Sequence, residues 1–229
     1  MSDRPVLLIT GASSGIGAAT ARAVHGAGFR VALAARRLEP LQLLATELGG
    51  ESHATAVVCD AADWDQVQAA VATTVAAYGR LDAVFANAGF GAVRGLLNET
   101  PEHWRDMVLT NLLGPALLMR ASIPELEKTR GHVIVTASIA GHTPIVGSLY
   151  SATKHGVVAP VETARKALVP RGIRVTAISP GNVDTPFFDN QPQIALTSDD
   201  VARAALFALQ QPEHVAINEI VMRHRDQEV

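Results

Sequence analysis

Tyr150 and Lys154 stand one helical turn apart at the start of an apolar pattern that continues through Val161 and Ala167, a spacing that puts both side chains on one helix face. A free phenol ionises near pH 10 and is a weak base at neutral pH, but a neighbouring ammonium would favour its charged form. The same ammonium could hold ribose hydroxyls. Ser138 follows the β-branched run His132 to Ala137, at the strand end where open α/β sheets bind ligands. Its hydroxyl could donate to an oxygen that gains negative charge as a reaction proceeds. The trio suits proton exchange beside a developing oxyanion.

A second group of residues suits a phosphate. The apolar run Val6 to Thr10 leads into Gly11, Ala12, Ser13, Ser14, Gly15, Ile16 and Gly17, and a helical pattern follows at once. Glycines there let the backbone turn tightly, bring its N–H groups close to a pyrophosphate, and let the helix sit against the strand. The helix start adds unpaired N–H groups and the positive end of a dipole. The glycine spacing differs from the commoner dinucleotide fingerprint, in which one and then two residues intervene. The residue closing the second strand faces the adenosine ribose, and a carboxylate there would favour NAD. This chain has Ala35, Arg36 and Arg37 instead, and guanidinium groups can clamp a 2′-phosphate with paired charge-assisted hydrogen bonds. NADP is therefore the expected cofactor, with NAD the less favoured one.

The elements that must position these groups alternate regularly. Val6 to Thr10, Arg30 to Ala35, His53 to Val58, Leu81 to Ala86, His132 to Ala137, Ile173 to Ser179 and Val215 to Met222 read as seven buried strands. Alanine-rich segments of helical period separate them. Strand, helix, strand repetition requires crossovers and hence a parallel sheet. The expected fold is α/β: a single Rossmann-type, doubly wound domain over residues 1–229, with a seven-stranded parallel sheet flanked by helices. Thr100 and Pro101 start one helix as cap and first residue. Gly114 and Pro115 should bend its continuation just after Asn111, and Pro160 should bend the helix carrying Tyr150 beyond Lys154.

Composition excludes several classes. The chain has 229 residues, 48% of them hydrophobic and 18% charged, and a formal charge of −3, without a basic cluster for nucleic acid or an anionic membrane. No apolar stretch reads as a membrane span and no leader precedes the first strand, so a cytoplasmic location is expected. The single cysteine, Cys59, reads as a core residue. The histidines and carboxylates show no metal-ligand spacing, so no metal is expected, and His142 reads as an ordinary loop residue.

Taken in order, the turn from Thr10 to Gly17, Asp60 after the third strand, Asn87-Ala88-Gly89 after the fourth, Asn111, Ser138, Tyr150 with Lys154, and Pro180-Gly181 after the sixth resemble the short-chain dehydrogenase/reductase family over nearly the whole chain. The resemblance implies that Tyr150 is the general acid/base, that Ser138 positions the substrate oxygen, and that Asn111 holds a water in a proton relay. It implies that Asp60 contacts the adenine, that Asn87 lines the cofactor cleft, and that Val183 and Thr185 hold the nicotinamide carboxamide or the pyrophosphate. It also implies a small-molecule carbonyl or alcohol substrate and a homo-oligomer, a tetramer or dimer, built partly on the helices beginning near Pro101 and Leu149.

The substrate loop, about 182–196, carries Phe187 and Phe188 and no Lys or Arg, which suits a small or partly apolar substrate. The segment Glu213 to Ile220 resembles the branch acting on short 3-hydroxy acids, although Met222 to Arg225 departs from it and Arg94 is the one nearby candidate to pair with a carboxylate. A reductase of bulkier polyketide-type or steroid-type ketones, and a non-catalytic NADP-binding sensor, are the alternatives.

Overall fold

In the computed structural model, which describes residues 4–91, 97–187 and 192–227, period-two burial divides the core between two faces of one sheet. Val6 and Leu8 of β1 (Val6–Thr10) face one layer, with side chains of α3 (Trp64–Tyr78), α5 (Gly114–Thr129) and α6 (Leu149–Leu168). Leu7 and Ile9 face the other, with α1 (Gly15–Gly26), α2 (Leu38–Glu47) and α7 (Ser198–Leu209). A strand covered on both faces must be apolar throughout, which is why β1 shows no polar alternation.

The remaining strands are β2 (Arg30–Ala35), β3 (Ala54–Val58), β4 (Ala83–Ala86), β5 (His132–Thr136), β6 (Arg174–Pro180) and, last in sequence, β9 (Glu219–Met222). With β1 they form a seven-stranded parallel sheet in the order β3-β2-β1-β4-β5-β6-β9. The chain reverses its direction of travel between β1 and β4, and such a switch point opens a crevice at the strands' C-terminal ends.

Several expectations need correction. Not all seven strands are buried, because β3 and β9 are edges: Val58 and Val221 are 51% and 50% exposed. The strand expected from Val215 begins only at Glu219. Two short strands, β7 (Val183–Asp184) and β8 (Leu196–Thr197), pair in parallel across the two ends of the substrate loop, and two-residue strands leave no periodicity to read.

At the bend expected near Gly114 the helix has a widened turn. α4 (Pro101–Val108), capped by Thr100 accepting from the His103 N–H, runs through a π-helical turn at Leu109–Leu113 straight into α5. Pro115 has no N–H to offer the Asn111 carbonyl, and the π-turn accommodates that loss without ending the helix. Gly114 lies against the Ala61 carbonyl, where a Cβ would stand 3.1 Å away. The continuous helix Pro101–Thr129 is long and apolar enough by composition to cross a bilayer, contrary to the sequence reading. In the fold it lies along the sheet instead, with Leu118, Met119 and Leu126 in the core and α3 alongside. α6 likewise continues through Pro160.

At the opposite end of the sheet from the crevice, His132 is buried, its Nε2 2.7 Å from Thr176 Oγ1. That hydroxyl donates to the Ile217 carbonyl, so the imidazole supplies the proton to Thr176. Burial and the charge of Arg174 lower the His132 pKa to about 3.

Candidate active site

The crevice is a cleft of about 1300 Å³ along the C-terminal ends of the central strands. Its floor at one end is the glycine turn between β1 and α1. Gly11 has φ +68°, and a Cβ there would stand 2.9 Å from Ala88 Cα. Gly15 has φ +53° and lies under Thr185. Gly17 lies behind the turn, where a Cβ would run into the Gly11 carbonyl oxygen and Asn87 Nδ2, so its work is packing. Gly11, Ser13, Ser14, Gly15 and Ile16 line the cleft; Gly17 does not.

Asn87 holds this floor together. Its Nδ2 donates to the carbonyls of Thr10 and Gly11 at 3.2 and 3.3 Å, and its Oδ1 accepts from Thr136 Oγ1 at 3.0 Å. Thr10 Oγ1 in turn accepts from the N–H groups of Asn87 and Ala88. These bonds tie the ends of β1, β4 and β5 together, and Asn87 itself lines the cleft. Ala88, Gly89 and Asp60 line the cleft beside it, and one Asp60 oxygen accepts from the Ala62 N–H. Cys59, buried and free, borders the same end, where burial pushes its thiol up to about 11. Arg36 and Arg37 are exposed at the rim, and Arg37 donates to Ser13 Oγ at 3.3 Å.

At the other end stand Ser138, Tyr150 and Lys154, supplied by the segment after β5 and the first turns of α6. Ser138 Oγ accepts from the Ala140 N–H at 3.1 Å and interacts with the Tyr150 hydroxyl. Lys154 is 4% exposed, and its Nζ donates to the Thr136 carbonyl at 2.7 Å. Here the structure corrects an expectation. The ammonium, 5.7 Å from the phenol ring centre, does not pull the Tyr150 pKa down: desolvation pushes it up to about 12, with Ser138 opposing. The same desolvation lowers Lys154 to about 8. Spacing placed the ammonium on the right face but could not reveal that a backbone carbonyl claims it.

Asn111 does not line the cleft. Its side chain clamps Phe90 on both sides, Oδ1 accepting from the N–H at 3.0 Å and Nδ2 donating to the carbonyl at 2.8 Å. Pro180, Gly181, Val183 and Thr185 also line the cleft, and Phe187 meets the Tyr150 ring edge-on at 5.6 Å. His142 lies outside the cleft and pairs with Glu219 at 2.6 Å. Arg94 and Phe188 lie outside the described residues. Among the described residues no cluster of three or more His, Cys, Asp or Glu is placed to hold a metal ion.

The short chain dehydrogenase family model matches residues 5–194. An uncharacterized oxidoreductase of Staphylococcus haemolyticus is 38% identical over 224 residues, covering 95% of this chain and 96% of that one. The chain belongs to the short-chain dehydrogenase family. Among solved structures, an alcohol dehydrogenase from the archaeon Thermococcus sibiricus, complexed with 5-hydroxy-NADP, superposes with a TM-score of 0.92 at 30% identity over 99% of both chains. A serine dehydrogenase in its closed form with NADP+ gives 0.91 at 29% identity, over 98% of this chain and 96% of that one. This short-chain dehydrogenase is accordingly an NAD(P)-dependent oxidoreductase, and its own residues fit a dinucleotide. The turn approaches closely only because Gly11 and Gly15 lack a Cβ, the start of α1 faces the cleft, and two guanidinium groups stand at the far rim.

Sequence reasoning missed four contributors. Thr136 is the hub for Lys154 and Asn87, and its place two residues before Ser138, on the same strand face, was the available signal. Gly91 leaves room for Phe187, whose ring a Cβ would meet at 2.7 Å. Asp226 and Gln227, far along the chain, line the cleft with no local signal at all.

Proposed function

We propose that this enzyme is an NADP-preferring reductase or dehydrogenase of a carbonyl or secondary alcohol on a small, partly apolar substrate. The convergence of Ser138, Tyr150 and Lys154 on one cleft wall, within reach of the space above the glycine turn, carries the reading. NADP, when bound, accepts or supplies the hydride. The protein's residues handle the proton. In reduction the substrate oxygen gains charge, Ser138 Oγ donates a hydrogen bond to it, and the Tyr150 phenol, kept neutral by a pKa near 12, gives up its proton to that oxygen. Lys154, held by Thr136, positions the ribose beside the phenol and resupplies the proton.

Preference for NADP rests on Arg36 and Arg37 at the rim and on the lack of a carboxylate closing β2. Replacing both arginines by Ala is expected to lower the NADPH to NADH efficiency ratio by roughly 10- to 100-fold, the worth of lost charged hydrogen bonds. An unchanged ratio would sink the preference. Apolar selectivity is supported by Phe90, Ile139, Ile145, Phe187 and Ile194 around the substrate end, where Lys154 is the one cation among the described lining residues. A small 3-hydroxy acid would need its carboxylate paired from elsewhere. Following NADPH absorbance with ketones, aldehydes and oxo acids tests the class. Tight binding with no turnover on any of them would favour a sensor instead. Assembly as a homo-oligomer belongs to the same proposal, supported by exposed Val108 and Leu113 along the α4 to α5 helix; sedimentation as monomer alone would reject it.

A further inference from the structure

The substrate loop is rooted at the backbone of one residue. Asn182 N–H donates to Gln227 Oε1 at 3.0 Å, and Asn182 C=O accepts from the Leu196 N–H at 2.8 Å. The first bond ties the loop's beginning to the segment after β9, and the second closes the loop on itself where β7 meets β8. The facing atom of Gln227 must be its oxygen, because its partner is an N–H donor. Gly181 is part of the same joint. Its N–H donates to the Met222 carbonyl at 2.7 Å, and a Cβ on it would collide with Gln227 Oε1 and stand 3.0 Å from Arg223 Cβ. Gln227 itself is held by its N–H donating to the His224 carbonyl at 2.9 Å.

From that joint the loop reaches the site. Phe187 N–H donates to Thr185 Oγ1, which places the Phe187 ring against Tyr150 on one side and Gly91 on the other. The geometry points to Gln227 as a positioning residue for substrate: its side-chain oxygen fixes the root of the substrate loop and so sets where Phe187 stands over Tyr150. The inference rests on the Tyr150-centred reading above. It adds to it a residue from the far end of the chain, acting through the loop backbone that its side chain holds.

The test compares Gln227→Ala, Gln227→Glu and wild type in steady-state reduction of the best neutral ketone found for the wild-type enzyme, with NADPH affinity and Tm measured alongside. Gln227→Ala should raise the ketone KM by roughly fivefold or more, a loss on the scale of one hydrogen bond, with a smaller fall in kcat and NADPH affinity within about twofold. Gln227→Glu keeps an acceptor oxygen for Asn182 and should restore KM to within about twofold. An unchanged KM in Gln227→Ala, or a Glu variant as impaired as the Ala variant, overturns the proposal. Equal losses of KM, NADPH affinity and Tm would also overturn it, marking a merely structural tie. Wild-type enzyme without turnover on any ketone would refute the parent reading, an outcome the variants cannot mimic.

Discussion

The two halves of the cleft are built on different principles. At the glycine turn almost every group is fixed by the sheet: Asn87 spends its amide on three strands' ends, and Gly11 and Gly17 fit against neighbouring backbone too closely for a side chain. At the substrate end much of the wall is loop, including Thr143, Pro144, Ile145, Ser148, Pro186, Phe187 and Pro192 to Ile194, with hydrogen bonds such as that between Ile145 N–H and Ser151 Oγ. A rigid half suits a ligand that never changes, and a half made of loops lets one scaffold accept different substrates. Tyr150 and Lys154 sit at the border, both on α6, with the phenol against Phe187 of the loop and the ammonium held by Thr136 of the sheet.

If that contrast holds, the largest effect of a single change belongs to the border. Tyr150→Phe should lower kcat on the order of 10³-fold while NADPH affinity stays within a few-fold, measured by turnover and by fluorescence titration. Retained turnover would dismiss the proton-transfer role. Next comes the rigid half. Gly17→Ala drives a methyl into the Gly11 carbonyl, and overpacking of that kind costs about 1–3 kcal/mol, so both Tm and NADPH affinity should fall together. A variant with normal Tm and normal binding would show that the floor yields more than its contacts suggest. The smallest effect belongs to the loop half. Phe187→Ala should change relative kcat/KM among ketones of different size by a few-fold and leave Tm within about 1 °C, since a partly exposed loop side chain contributes little to stability. A large Tm loss there would erase the distinction between the halves.

The same contrast explains what could be read in the sequence. The glycine turn, Ser138, and Tyr150 with Lys154 announce themselves because each is a local pattern whose geometry follows from strand or helix period. The seven-stranded parallel sheet followed from the alternation of elements, whereas the edge strands and the two short strands went astray, the latter too brief to leave a period. Long-range competition was not legible. The Thr136 carbonyl takes the Lys154 ammonium, the Phe90 backbone takes the Asn111 amide, and Thr10 and Gly11 take the Asn87 amide. Helix period placed Lys154, and the resemblance named Asn87 and Asn111, but the partners of all three lie on other elements and had to be seen in three dimensions.

His132, far from all of this, carries a consequence for the whole molecule in acid. Its folded pKa, about 3, is depressed from 6.5, so between those values the unfolded chain binds a proton that the native one refuses. Stability from this site is therefore fully present above pH 6.5 and drains away as the solution is acidified towards 3. Urea midpoints should fall over that interval and do so less steeply in His132→Gln, which has no proton to take up. Mild acid would therefore weaken the fold through a residue at the closed end of the sheet, remote from the groups proposed to hold the nucleotide.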